Sequence, residues 1–361
     1  MRLFIPDIVS FFQWMDENNY KYAVLRRFLD FKATWPTIPE TAEFDVLVED
    51  SALPVLKKRY ESFTKKQGVE FDFYTPAGTD IGGEMGLQYF PAPLSKKILE
   101  HRRKWNDLFY IPDAQSHLLS LLYHVCYRKM ESSGIHLDDP AHSEDSRYLA
   151  EIEWLKAQLG ISLENTLLAY HGYLRSLECH ASYEVLCTYV QNQFAHDIKS
   201  MFMAQLFREF SGEMNMFVIR GVAVKTGTHA ALINMLRAHY KTILVKDIPF
   251  FTRITESGKM RGGKWRRGGR PHIVVLVFDP HPQETSEEDR SVHGYVFNSR
   301  QFVKRGFREW FTKTTGRKAS ANPLHSTDNE AEAVGHFPMF FSPHEQEDIF
   351  LRLKELRSIS S

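Results

Sequence analysis

The stretch Asn322-Pro-Leu-His325-Ser-Thr-Asp328-Asn329-Glu-Ala-Glu332-Ala, near the C-terminus, places a histidine just before an acidic turn. The residues after the turn can continue as a helix, and a side-chain oxygen of Asp328 or Asn329 can cap it. The N-terminal end of a helix favours anions, so a histidine there is positioned to meet a phosphate group. Neutral imidazole is also a nucleophile near pH 7. The alternative is an ordinary surface histidine in an acidic turn.

The chain upstream of His325 alternates hydrophobic strands with a helical segment. Residues 215–220 read as a buried strand, and residues 229–239 place apolar side chains at helical spacing. Residues 241–246 and 272–279 predict two more strands. This order of elements, together with the histidine, resembles nucleoside-diphosphate kinase, a ferredoxin-like βαβ fold with a phosphate-accepting histidine in an Asn-x-x-His-x-x-Asp setting. The resemblance covers roughly residues 213–355 and implies a phosphohistidine on His325.

The same resemblance implies which side chains bind phosphate. The assigned residues, each near His325 in the sequence or at the end of the first strand, are Arg220, Arg300, Lys304, Arg308 and Asn322. Arg220 stands where the family has a lysine, and the spacing from the arginines to the histidine differs. His336 falls near the position of the family's acidic partner of the histidine. These departures favour a specialised phosphotransferase over a housekeeping kinase.

A basic, glycine-rich segment separates the second and third of these strands. Residues 259–270 read Lys-Met-Arg-Gly-Gly-Lys-Trp-Arg-Arg-Gly-Gly-Arg, with six cations, four glycines and no acid. Glycines let backbone N–H groups turn towards an anion. We therefore interpret the segment as a loop that binds phosphate or nucleotide, with Arg261, Lys264 and Arg266 contacting the phosphate groups. Arginine and glycine with an aromatic residue also occur in single-strand binders, and a solvated charge run is a third interpretation. The formal net charge of zero argues against nucleic acid as a partner.

Two N-terminal strands carry acids with a spacing of two residues. Side chains at i and i+2 share one face of a strand, so Glu43 and Asp45 point the same way, as do Glu70 and Asp72. If the strands are neighbours, the carboxylates form an oxygen-rich site suited to Mg²⁺, which can neutralise nucleotide phosphates. Edge-strand acids facing solvent are the alternative.

The N-terminal order of a helix, the strand Tyr22-Ala-Val-Leu-Arg26, an acid-x-Asp strand and a later Asp resembles the nucleotidyltransferase superfamily. The resemblance implies Glu43, Asp45 and Asp72 as metal ligands, with Asp45 and Asp72 also catalytic. Leu25-Arg26 replaces the expected Gly-Ser phosphate turn. Arg26 can instead offer a guanidinium fork to phosphate, but the missing glycine leaves open that only the fold is kept.

Composition describes an ordinary globular chain. Its length of 361 residues is enough for two or three domains. Apolar residues make up 43% and charged residues 25%, an ordinary mixture for a globular protein. Three cysteines without a CxxC pair fit a reducing compartment. No apolar run is long enough to span a bilayer. We therefore expect a cytoplasmic protein.

Together these features predict an α+β protein with three parts. Residues 1–112 form a nucleotidyltransferase-like mixed sheet, residues 113–205 resemble the helical substrate-binding segment of that superfamily, and residues 206–361 form the ferredoxin-like, kinase-like domain. The combination resembles bacterial proteins of glycan, capsule or secondary-metabolite loci, an analogy at the level of the fold. We predict a phosphoryl or nucleotidyl transferase that uses a nucleoside triphosphate, Mg²⁺ and a small-molecule or glycan-precursor acceptor. The kinase family's habit of assembling implies a homo-oligomer. A non-catalytic nucleotide-binding or scaffold protein on degenerate folds is the alternative.

Overall fold

The chain folds into two compact units, Met1–Val185 and Leu186–Ser361. The computed structural model describes residues 1–26, 28, 43–78, 88–144, 147–193, 200–255, 267–318 and 320–360. Each unit combines a four-stranded sheet with helices, which confirms the α+β class. Within the described residues, every helix is too short or too polar to traverse a lipid bilayer.

The N-terminal unit begins with the sheet and continues with helices. Its elements are β1 (Arg2–Ile5), α1 (Ile8–Glu17), β2 (Tyr22–Val24), β3 (Glu43–Val48), α2 (Ala52–Tyr60), β4 (Val69–Tyr74), α3 (Ala92–Glu100), β5 (Arg103–Trp105), β6 (Phe109–Ile111), α4 (Ala114–His124), α5 (Arg147–Leu159) and α6 (Leu167–Ser176). The helix α7 (Tyr183–Gln193) runs across the boundary between the units.

The N-terminal sheet has the strand order β1-β4-β3-β2, in which β3 and β4 are parallel and the other pairs are antiparallel. Successive side chains of β3 and β4 point to opposite faces of the sheet, and Phe44 and Phe71 lie on the face that packs in the core. Their rings stack there with centroids 4.6 Å apart. Helix α1 packs its apolar stripe on this core, and the carboxylate of Asp7 caps it by accepting from the Ser10 N–H at 3.0 Å. The acids at alternate positions of β3 and β4 therefore share the opposite face of the sheet.

The C-terminal unit adds a second sheet to a further set of helices. Its elements are α8 (Met201–Phe207), β7 (Glu213–Arg220), α9 (Gly221–Lys225), α10 (His229–His239), β8 (Lys241–Asp247), α11 (Phe250–Thr255), β9 (Pro271–Asp279), α12 (Glu287–Val292), α13 (Val303–Thr315), β10 (Leu324–Ser326), α14 (Glu330–Gly335), α15 (Phe337–Phe340) and α16 (Pro343–Ser360).

The C-terminal sheet is antiparallel with the order β10-β7-β9-β8. If the four strands are numbered 1 to 4 along the chain, their order across the sheet is 4-1-3-2. Helices connect strand 1 to strand 2 and strand 3 to strand 4, which is the ferredoxin-like βαββαβ arrangement. One face of the sheet packs apolar side chains of α10 and α13, among them Leu232, Leu236, Phe307 and Phe311. The strand β10 has only three residues and lies at the edge, with His325 opposite Val218 of β7.

Candidate functional site

His325 lies on the edge strand β10 in a group of positively charged side chains. Burial, followed by the charges of Arg220, Lys304, His336 and Arg308, lowers the pKa of His325 to about 3. The imidazole is therefore neutral at pH 7 and keeps its nucleophilic lone pair. Its Nε2 atom is enclosed and makes no hydrogen bond with a described residue.

The cations around His325 come from the end of β7 and from α13. Lys304 and Arg308 lie one helical turn apart on α13, so their side chains project from the same face. Lys304 Nζ donates to the Ser326 hydroxyl at 2.9 Å, and an Arg308 Nη atom donates to the Leu324 carbonyl at 3.1 Å. Both bonds bring the side chains to β10.

Two carboxylates, those of Asp328 and Glu332, lie near Lys304 and partly offset its positive charge. Lys304 lies 4.0 Å from the Asp328 carboxylate, whereas Arg308 forms no ion pair with a described residue. Burial and the neighbouring Arg308 lower the pKa of Arg220 to about 10, and burial also lowers the pKa values of Lys304 and Arg308. Positive charge that is partly buried favours a bound anion.

The turn formed by residues 267–270 supports Arg220. Backbone bonds join it to the start of α9, because Gly221 and Val222 donate to the carbonyls of Arg270 and Gly268 at 3.0 and 2.9 Å. A Cβ atom on Gly268 would lie 1.9 Å from the Asn322 carbonyl oxygen and 2.9 Å from Arg220 Cδ. Only glycine fits this close approach.

Asn322 lies in the segment that precedes β10. Asn322 shapes the turn through its backbone, since its N–H donates to the Arg267 carbonyl, and its side chain accepts from the Leu324 N–H at 3.3 Å. Arg261, Lys264 and Arg266 lie outside the described residues.

Arg300 pairs with an acid of β9. It forms an ion pair with the buried Asp279 at 2.7 Å and donates to the His239 carbonyl at 2.7 Å. The family resemblance implied that Arg300 binds phosphate, and this role remains a prediction for a side chain that also has Asp279 as a partner.

The helix that follows His325 is α14, and Asn329 caps it, as the sequence allowed. The Asn329 side-chain oxygen accepts from the Glu332 N–H at 3.0 Å. The helix has six residues, and Glu330 and Glu332 occupy its first turn. Since these acids offset the positive helix end, side-chain cations rather than the helix supply the field that favours an anion at His325.

The N-terminal acids lie where their spacing predicted, on one face of neighbouring strands. Glu43 lies opposite Glu70, and Asp45 lies opposite Asp72. Carboxylate oxygens of Glu43, Glu70 and Asp72 come within 4.8 Å of one another. Burial and the neighbouring acids raise the pKa of Glu43.

A guanidinium already lies among these acids. Arg2, on β1, contacts Asp72 at 2.8 Å, Glu70 at 2.8 Å and Glu43 at 3.8 Å. The donor set fits a divalent ion, because carboxylate oxygens are the ligands that Mg²⁺ prefers. An ion bound there would compete with Arg2 for the same oxygens.

Asp45 is separated from this group by its own partners. Arg26 is buried and contacts the Asp45 carboxylate at 2.7 Å, and the Tyr74 hydroxyl donates to Asp45 at 2.9 Å. The same guanidinium donates to the Tyr89 hydroxyl at 2.7 Å and lies 2.8 Å from His124 Nδ1. Arg26 was expected to contact phosphate, but it belongs to a buried network in which it pairs with the Asp45 carboxylate.

Sequence reasoning missed a buried polar network below the C-terminal sheet. Gln301 donates to Asn215 at 2.7 Å and to Glu213 at 3.2 Å, and Asn298 donates to Asp279 at 2.9 Å. Burial raises the pKa of Glu213 to about 8. The sequence signal was Glu213 and Asn215 at alternate positions of a strand otherwise read as buried.

Comparison with known proteins gives a weak structural match to part of this chain. A solved nucleoside diphosphate kinase of Aquifex aeolicus, in an orthorhombic crystal form, is 13% identical and matches over 37% of this chain and 99% of its own, with a TM-score of 0.25. A likeness of this size carries no argument about function. No protein-family model matches the chain, and none of the curated proteins matches it.

Proposed function

We propose that the C-terminal unit is a phosphotransferase that carries a phosphoryl group on His325, with a nucleoside triphosphate as donor. The observation that supports this most strongly is a neutral imidazole that lies among the three cations Arg220, Lys304 and Arg308. Phosphoryl transfer depends mainly on positioning and on neutralising charge, which is the chemistry that such a group offers.

In the proposed step, an imidazole nitrogen of His325 attacks the terminal phosphorus. The new P–N bond forms as the P–O bond to the nucleoside diphosphate breaks, and the leaving oxygen keeps the electron pair. Arg308 and Lys304 stabilise the charge on the transferred oxygens. An acceptor hydroxyl then attacks the phosphorus, the P–N bond breaks, its electron pair returns to the imidazole, and the hydroxyl proton passes to solvent.

The decisive experiment is intact-mass measurement after incubation with ATP, CTP, GTP and UTP separately, each with Mg²⁺. We expect the mass of one added phosphoryl group, mapping to His325 and lost in acid. His325→Ala should abolish the adduct, whereas His344→Ala, which changes an exposed histidine of α16, should retain it. An adduct retained in His325→Ala would overturn the proposal.

For the N-terminal unit we propose a Mg²⁺ site on Glu43, Glu70 and Asp72. When bound, the ion would supply charge that neutralises nucleotide phosphates. Arg2 would have to give way, so Arg2→Met should tighten Mn²⁺ binding measured by electron paramagnetic resonance. Equal Mn²⁺ binding in Arg2→Met and in the unaltered protein would contradict the site.

A second candidate function is nucleotide binding without transfer. It is favoured by His325, whose Nε2 atom makes no hydrogen bond with a described residue, and by Asp45, which is already paired with Arg26 and Tyr74. This candidate predicts a nucleotide-dependent rise in the melting temperature Tm together with no mass adduct.

A further inference from the structure

A second positively charged feature lies on the C-terminal unit, on the turn formed by residues 267–270. It is a cleft of about 420 Å³ whose lining includes the cations Lys225, Arg267, Arg270 and Arg317. The described part of the lining contains no acid, and these four side chains form no ion pair with any described residue. Four cations without carboxylate partners around one concave surface constitute a local positive field in a chain of zero net charge.

Helix α11 adjoins this cleft through His272, which also lines it. The Ile248 N–H donates to the His272 carbonyl at 2.8 Å, and Arg253 of α11 donates to the Ile248 carbonyl at 2.6 Å. Burial and the charges of Arg253 and Lys225 lower the pKa of His272, against the opposing charge of Asp247, so both cations lie close to it. Arg253 thereby extends the positive surface beyond the cleft.

The same helix presents two aromatic rings to solvent. Phe250 is 65% exposed and Phe251 is 78% exposed, and their centroids lie 5.8 Å apart. Adjacent phenylalanines with such exposure form an apolar surface patch. Burying the rings against a partner would be favourable, because transfer of apolar surface out of water lowers the free energy.

We propose that the cleft and α11 together bind a single-stranded nucleic acid. The cations would track successive phosphates, and Phe250 and Phe251 would stack on bases, a combination that binds single strands with little sequence preference. The cations line a concavity rather than a flat face, which suits a chain lying in a groove better than a membrane surface. The inference is independent of His325 and of phosphoryl transfer.

The test is fluorescence anisotropy with a labelled 12-nucleotide RNA at several salt concentrations. We expect binding that weakens with salt, and a smaller salt slope in Lys225→Gln/Arg317→Gln, by about 1.4, because each single-strand phosphate contact contributes about 0.7. Phe250→Ala/Phe251→Ala should weaken binding about ten-fold while leaving the salt slope unchanged.

Matched controls separate this site from others. Arg237→Gln/Lys354→Gln removes two exposed cations of the same unit that lie outside the cleft lining, and should bind RNA as the unaltered protein does. His325→Ala should also bind normally, so that failure of phosphoryl transfer and failure of RNA binding remain distinguishable. Circular dichroism of each variant checks that it is folded.

Three outcomes would overturn the inference. The first is no binding of RNA at low salt. The second is binding that neither the cleft variant nor the phenylalanine variant changes. The third is binding of vesicles containing phosphatidylserine, lost in the phenylalanine variant, without binding of RNA, which would assign the surface to a membrane.

Discussion

His325 owes its chemical state to its neighbours. An exposed histidine titrates near pH 6.5, but burial and the surrounding cations keep this imidazole neutral far below that pH. The residue type was visible in the sequence, whereas the lowered pKa depends on Arg220 and Arg308 arriving from distant parts of the chain.

The lowered pKa of His325 predicts a pH dependence of stability. Between about pH 6.5 and 3 the unfolded chain binds a proton at this histidine and the folded chain does not, so the free energy of unfolding falls as pH falls. The slope from this group approaches about 1.4 kcal/mol per pH unit. Urea unfolding of the unaltered protein and of His325→Asn should show that the variant loses this part of the slope. Equal slopes would contradict the pKa shift.

The raised pKa of Glu213 predicts a pH dependence of stability with the opposite sign. Its pKa is raised from 4.5 to about 8, so between these values the folded chain holds a proton that the unfolded chain lacks. The free energy of unfolding should therefore fall as pH rises through this range, by up to about 1.4 kcal/mol per unit. Glu213→Gln should flatten the profile and be more stable than the unaltered protein at pH 8. A variant less stable than the unaltered protein at pH 8 would contradict the raised pKa of Glu213.

At the scale of elements, the supporting turn and α13 decide where the cations lie. The turn at Gly268 passes so close to Asn322 and Arg220 that a side chain does not fit. Helix α13 packs on the sheet through Phe307 and Phe311 and thereby directs Lys304 and Arg308 towards β10.

Two glycine substitutions should separate these roles. Gly268→Ala should lower the free energy of unfolding and weaken the nucleotide-dependent rise in Tm, because its Cβ would displace the backbone at Asn322 and the Arg220 side chain. Gly306→Ala lies within α13 with open space around its new methyl group, and should stabilise the protein by about 0.5–1 kcal/mol. Thermal denaturation measures both. A Gly268→Ala protein as stable as the unaltered one would refute the close approach.

At the scale of the whole molecule, each unit carries its own candidate anion or cation site. Stabilisation by nucleotide should therefore have two separable parts. Arg308→Gln should remove the part that persists without Mg²⁺, and Asp72→Asn should remove the part that requires Mg²⁺. Differential scanning fluorimetry with ATP, with and without Mg²⁺, measures both parts. Loss of the entire response in either single variant would contradict two independent sites.

Much of the local structure follows from residue patterns. The two-residue spacing of the acids predicted that Glu43 and Asp45 share one face of a strand, as do Glu70 and Asp72. The Asp328-Asn329 pair predicted the cap of α14. Such features depend on the period of the backbone and on nearby hydrogen-bonding groups, which the local sequence specifies.

The tertiary structure alone decided which charges meet. Arg300 pairs with Asp279, Arg26 with Asp45, and Arg2 enters the acidic face of the N-terminal sheet, although all are separated in sequence. A charged side chain can pair with any opposite charge within reach, so its partner depends on strand order, register and burial rather than on its neighbours in the chain. The sequence therefore determined the elements and nominated His325, and the packing of β7, β10 and α13 determined its cationic surroundings.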